Sequence, residues 1–432
     1  MRDLALIGVL GLLLPMAVWR PFVGVLVWCW LSFMNPHQLS WGSAASFPWA
    51  IMAFGATLLG CFVAREPKRL PTDAVTWLLL AFLAGITLTS ATALGDPDVA
   101  WEIWGRTAKV ILGLFLTAAL LTDRWRIHAL IWSMVLSIGY FGIRGGLFTL
   151  ANGGQYIVMG PPSTMIGDRN HLAVAMLVVV PLMSYLRGQS PHRWVRLGLA
   201  VAMVLTVFAV VGSQSRGALI GLAGAAGMLW LRSSGKLGSG LAIAACLAGA
   251  ILFMPASWTE RMNTIQNYEA DGSAMGRVTI WMTALNIALS RPLVGGGFRA
   301  VYQQPVVDQF TPGTVARATH SIWFEVLGEH GFLIFFVWLG IIGAGVWYSM
   351  QIVALARGQP ELAWAAELAR MTQVSIVAYV LGGTFLSLSY WDLFWTLMVV
   401  LGATHAQVRQ AVRQTAPRPQ ARAGFPAAAA FR

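Results

Sequence analysis

Five arginines and one histidine stand out in a chain with few charges: Arg144, Arg169, Arg216, Arg277, Arg299 and His320. Arg169 lies in Asp168-Arg169-Asn170-His171, and Arg216 in Ser213-Gln214-Ser215-Arg216-Gly217. Convergent guanidinium groups call for an anion, because their planar fork pairs bidentately with phosphate. A histidine beside such an anion, titrating near neutral pH, takes a proton from an incoming hydroxyl. The combination predicts transfer chemistry on a lipid-borne phosphate or diphosphate. Structural alternatives stand beside it. Arg144 and Arg169 are also suited to snorkel from helix ends, and Arg216 to cap a preceding helix. His320 and His330 also fit a helix-end role without chemistry. Asp96-Pro97-Asp98 is a rival feature: either an acidic pair for a divalent cation, or a turn capping an interfacial helix. The proline between the acids favours the turn.

The elements that must position these residues follow from composition. Of 432 residues, 57% are hydrophobic and 11% charged, with a mean hydropathy of +0.67. Soluble domains carry about a quarter charged residues, so a soluble enzyme, a disordered chain and a disulfide scaffold are excluded. Cys29, Cys61 and Cys246 sit in apolar runs without ligand spacing, which supports neither a disulfide nor a zinc site. The net charge of +12 is scattered singly between apolar segments, a pattern of membrane topology and not of nucleic-acid binding. The apolar run 4–34 is too long for a cleavable signal peptide.

A helix needs about 20 apolar residues to cross a bilayer. That template predicts an all-α polytopic membrane protein with helices near 4–34, 47–64, 74–94, 108–121, 127–150 and 166–187. Six more are expected near 196–213, 217–232, 238–254, 331–350, 371–388 and 391–408. The total is twelve, or thirteen if Trp19-Arg20-Pro21 is a turn. Alternate connections, with the tail from 404, hold 17 Lys and Arg; the opposite short connections hold only Arg106 and Arg216. The positive-inside rule then places the tail in the cytoplasm and the arginine cluster outside. Four regions are expected: a transmembrane bundle at 1–254, a long outer loop at 255–330, transmembrane helices at 331–408 and a basic, disordered tail at 409–432. Within the loop, 279–289 and 321–327 read as short helices, separated by Pro292, Gly295-Gly296-Gly297 and Pro312-Gly313. Long connections with their own helices are usually functional.

With these residues in view, the chain resembles the O-antigen ligase and polymerase superfamily of bacterial membrane proteins, which has a C-type glycosyltransferase-like architecture. Ser215-Arg216-Gly217, Arg277 with Trp281, Pro292 to Gly297, His320-Ser321 and Glu329-His330-Gly331 carry the match. The opening Met1 to Leu6, with Met34-Asn-Pro-His37 and Trp41-Gly42, looks like the branch of O-glycosylation ligases linked to exosortase systems.

The resemblance implies that Arg216 and Arg277 bind the diphosphate of an undecaprenyl-linked glycan and that His320 activates the acceptor hydroxyl. Arg169, Arg144 and Arg299 are expected to complete the anion site. It also implies inverting transfer without a metal or other cofactor, in the inner membrane and facing the periplasm. The acceptor would be a lipid A core sugar, a glycan end or a protein hydroxyl, so polymerase and protein O-oligosaccharyltransferase activities are the alternatives. A transporter of lipid-linked glycan would need charges at mid-depth and symmetry between halves, neither of which is evident. A scaffold would leave the convergence without a cause.

Overall fold

The structure, a computed structural model, describes residues 2–233, 235–263 and 272–415. Among the described residues the chain is helical, without strands. In chain order the helices are α1 (Arg2–Trp19), α2 (Pro21–Met34), α3 (Trp49–Val63), α4 (Ala74–Ala91), α5 (Pro97–Leu120), α6 (Arg124–Ala151), α7 (Arg169–Gln189) and α8 (Arg193–Gly212). Then come α9 (Arg216–Arg232), α10 (Lys236–Leu252), α11 (Ala256–Asn263), α12 (Gly272–Ser290), α13 (Gln304–Phe310), α14 (Ile322–Leu355), α15 (Ala363–Gly383) and α16 (Asp392–Thr415). Among the described residues, seven helices are long and apolar enough to cross a membrane: α1, α4, α5, α6, α7, α8 and α14. Large apolar side chains such as Phe62, Leu88, Leu136 and Trp347 are exposed on the outside. Lipid accommodates such a surface, and the chain is an all-α polytopic membrane protein.

The run 4–34 resolves as two helices. Pro21 opens α2, and Arg20 between them leaves helical geometry. Arg2 donates to the Leu39 carbonyl at 3.4 Å and Asp3 accepts from the Trp41 N–H at 3.3 Å, so α1 and α2 run antiparallel. The basic connections meet at one end of the bundle. There Arg126 pairs with Glu66 at 2.8 Å, Arg124 donates to Gln189 at 3.2 Å and Arg69 to Gln410 at 2.9 Å. At the opposite end the 92–96 connection meets the long loop, through Leu94 N–H on the Gly296 carbonyl and Asp96 N–H on Gln303. Past 408, α16 continues as helix to Thr415, and the rest of the tail lies outside the described residues.

At the centre, α7 is buried over most of its length and packs on α6, α8, α9 and α15. The long loop is stitched to α14 at a kink. Gly331 has φ 72° and ψ −177°, so the helix cannot continue through it. The carbonyls of Gly328 and Glu329 instead accept the N–H groups of Gly296 and Gly297 at 2.9 and 2.8 Å. Phe332 N–H turns to the Pro292 carbonyl at 2.7 Å. These carbonyls and this amide, released by the kink, thus find partners in the 292–297 stretch, as buried backbone requires.

Candidate functional site

The site begins at the entry to α7. Asp168 is the N-cap, accepting from Asn170 N–H at 2.8 Å and satisfying one donor of the first turn. One turn on, His171 places Nδ1 3.4 Å from Asp168 and Nε2 3.2 Å from the Ser387 carbonyl. The imidazole first, then the Asn170 N–H, hold the Asp168 carboxyl well below the usual range. Asp168 is therefore an anion at neutral pH.

His320 faces this pair from the long loop. It adopts φ 47°, a left-handed conformation that costs a non-glycine residue energy and clusters at functional sites. Its N–H donates to the Ser387 hydroxyl at 3.2 Å. Trp281 braces the same strand of loop, donating from its indole to the Thr319 carbonyl at 2.7 Å and stacking on Phe324 at 5.1 Å. Burial first, then the Arg277 guanidinium and His171, push the His320 imidazole below its usual value. It is thus neutral at pH 7, as a general base must be. The helix starts at Ile322 with Ser321 as N-cap, so His320 stands outside it, and burial is the leading cause of its shift. On either side of His320, the Thr319 and Ser321 hydroxyls are buried and find no protein partner among the described residues. Buried polar groups of this kind call for a ligand or water.

The arginines distribute unevenly around this centre. Arg277, on α12, acts electrostatically on His320, and so does Arg317, which packs over Gly276. Arg169 is the first residue of α7, next to Asp168, and is half-buried. Arg216 is the first residue of α9, where Ser215 caps the helix by accepting from Ala218 N–H at 3.2 Å. A Cβ at Gly217 would contact Phe385, two residues before Ser387, so Arg216 enters beside the loop that holds His320. Arg299 has φ 58°, stacks over Tyr302 at 4.2 Å and donates its N–H to Glu329 at 2.9 Å. Its guanidinium acts on both Glu325 and Glu329, so part of its charge answers protein carboxylates.

Arg144 departs from the expected cluster. It is exposed and lines a cavity with Arg2, and none of the other expected site residues lines that cavity. Asp96 is the N-cap of α5, accepting from Asp98 N–H at 2.9 Å, the turn expected of Asp96-Pro97-Asp98. His330 is fully buried between Thr89 and Tyr390, with contacts of 2.7 and 2.9 Å. The Tyr390 hydroxyl also donates to Glu329 at 2.6 Å. His330 ties the kink to α4 and lies behind the site.

Sequence reasoning assigned no role to Asp168, His171, Arg317, Tyr302, Glu325, Ser387 or Ser389. Glu325, which accepts from the Ser389 hydroxyl at 2.5 Å, carried a usable signal: an acid inside an apolar run. The serines, in Thr384-Phe-Leu-Ser-Leu-Ser389, carried none.

Comparison with protein families gives two matches that divide the chain. Residues 1–190 match a family of unknown function (DUF5935), and residues 201–339 match the family described as O-Antigen ligase. The second match takes in Arg216, Arg277, Arg299 and His320. This O-Antigen ligase domain supports placing the chain in the O-antigen ligase superfamily. That domain supports a glycosyltransferase-like membrane enzyme of glycan transfer or polymerisation, a family activity that implies a lipid-linked glycan donor and an acceptor. Neither match distinguishes the exosortase-linked branch. No curated protein matches the chain.

Proposed function

We propose that this O-antigen ligase-type protein transfers a glycan from undecaprenyl diphosphate to an acceptor hydroxyl at the His320 site, on the periplasmic side of the inner membrane. The observation that carries the reading is His320 itself. Its imidazole is kept neutral, on a backbone held out of its relaxed conformation, within reach of Arg277 and Arg317 and opposite the Asp168–His171 pair.

The diphosphate is a good leaving group, so the protein's task is to position it and to stabilise charge as the bond to the sugar breaks. Arg216 and Arg277 take that role, with Arg169 beside them; Arg299 orders Tyr302 and the Glu329 end of the loop as well. His320 removes the acceptor proton as the hydroxyl attacks the anomeric carbon from the face opposite the diphosphate, which inverts the centre. General-base help of this kind contributes about 10²–10⁴-fold. In this reading guanidinium groups do the work of a divalent cation. The acceptor is a lipid A core sugar, a glycan end, as in a polymerase, or a protein hydroxyl.

Purified protein with a polyprenyl-diphosphate glycan and candidate acceptors tests the proposal. His320→Ala is expected to lower transfer by at least 10²-fold while donor binding persists, and chelator is expected to leave the rate unchanged. Normal transfer by His320→Ala would remove the base from the mechanism.

A further inference from the structure

The cavity that claims Arg144 lies outside the His320 cluster. It measures about 560 Å³, within the range of small-molecule sites. Its walls come from the start of α1, the 38–41 turn after α2, the far end of α6 and the 157–162 stretch, all inside the segment matched by the family of unknown function. Two guanidinium groups, Arg2 and Arg144, line it from different helices, and none of the described lining residues is acidic. The nearby Asp3 carboxylate is engaged by the Trp41 N–H. The Trp41 indole is 91% exposed at the rim, with Phe148 and Met159 also exposed beside it.

These features point to one ligand chemistry. Paired guanidinium groups suit a carboxylate or phosphate. An open indole face offers an apolar platform to the C–H face of a sugar ring. We propose that this cavity is a second ligand site, which holds a saccharide bearing a carboxylate or phosphate. The site communicates with His320 through one loop. Residues 157–162 form its wall, Val158 N–H reaches the Gly212 carbonyl just before the Arg216 turn, and Gly160 and Gly167 close the loop onto itself at 3.1 Å. The next residue is Asp168. An occupant here therefore rests on the same loop that sets the Asp168–His171 pair. Binding does not depend on the transfer reading; only the communication with His320 rests on it.

Titration calorimetry on the purified full-length protein tests the site with three probes: a glucuronate-terminated disaccharide, N-acetylglucosamine 1-phosphate and neutral lactose. At least one anionic probe is expected to bind at least tenfold more tightly than lactose, and more weakly as salt is raised. A preference for the glucuronate marks a glycan chain as the source, and a preference for the sugar phosphate marks a glycolipid head. Arg144→Gln is expected to lower that affinity at least tenfold. Trp41→Ala, at an exposed side chain, is expected to weaken binding severalfold even if the arginine variant fails to fold. His320→Ala is expected to bind normally, so loss of transfer and loss of this site read out separately. Equal binding of lactose, no binding of either anionic probe, unchanged affinity in the folded Arg144→Gln or Trp41→Ala variant, or equal competition by glycerol phosphate would each overturn the proposal; the last would make the cavity a phospholipid headgroup site.

Discussion

His320 sits between charges of opposite sign, and each leaves a mark on its titration. Arg277 and Arg317 disfavour the imidazolium, while Asp168 favours it. Because burial and the arginines prevail, the transfer rate should stay level as pH falls through 6.5 and decline only below it. The same shift governs stability. The folded state binds a proton at His320 less readily than the unfolded chain, so this contribution is present above pH 6.5 and is lost as pH falls. Arg317→Gln should move the acid limb of the rate profile upward, and Asp168→Asn should move it downward. Identical profiles for both variants would show that neither charge faces His320. The arginines and His320 were legible in sequence because charge is rare and costly near a membrane. Arg144, equally rare, lines a different cavity: rarity marks a residue as useful without saying which cavity it serves. Ser387 was illegible, since a hydroxyl in a short loop gains meaning only when its neighbour in space is known.

At the scale of elements, the decisive feature is the kink of α14, which returns the long loop to the bundle with its hydrogen bonds exchanged and intact. The loop punctuation at Pro292 and Gly295–Gly297 was readable from residue type. Its exchange with the carbonyls of Gly328 and Glu329 was not, because that pairing joins segments some thirty residues apart. Gly331 occupies a region of backbone space open essentially to glycine alone. A Cβ there would also come within 2.6 Å of the Pro292 carbonyl oxygen. Gly331→Ala should therefore destabilise the protein by about 1–3 kcal/mol from backbone strain, with the clash adding to it. Thermal unfolding in detergent measures this, and an unchanged midpoint would mean that the helix passes Gly331 without kinking. Ser215→Ala removes the N-cap of α9 and should cost about 1 kcal/mol, while leaving Arg216 in place.

Across the whole molecule, the basic connections and the candidate site lie at opposite ends of the bundle, and the alternation of charge along the sequence expressed that polarity before any contact was known. The sequence left one crossing ambiguous, since an apolar run with a single Arg-Pro interruption fits both a kinked helix and a hairpin. Contacts remove the ambiguity: Arg2 and Asp3 reach the 39–41 turn, whereas Phe22 N–H reaches Glu66 at the basic end, 3.0 Å away. Arg20 thus belongs with the basic connections, and Ser43 with the opposite end. In a background lacking Cys29, Cys61 and Cys246, Arg20→Cys should react with a membrane-impermeant thiol reagent only after the cytoplasmic face is opened. Ser43→Cys should react from the periplasm. Reporter fusions at Gly272 and Ala421 should report periplasm and cytoplasm respectively. Were Arg20→Cys unreactive from both faces, the run would be one interrupted crossing with Arg20 at mid-depth. A cytoplasmic signal at Gly272 would go further, because it would put His320 and its arginines on the wrong side for a glycan presented in the periplasm.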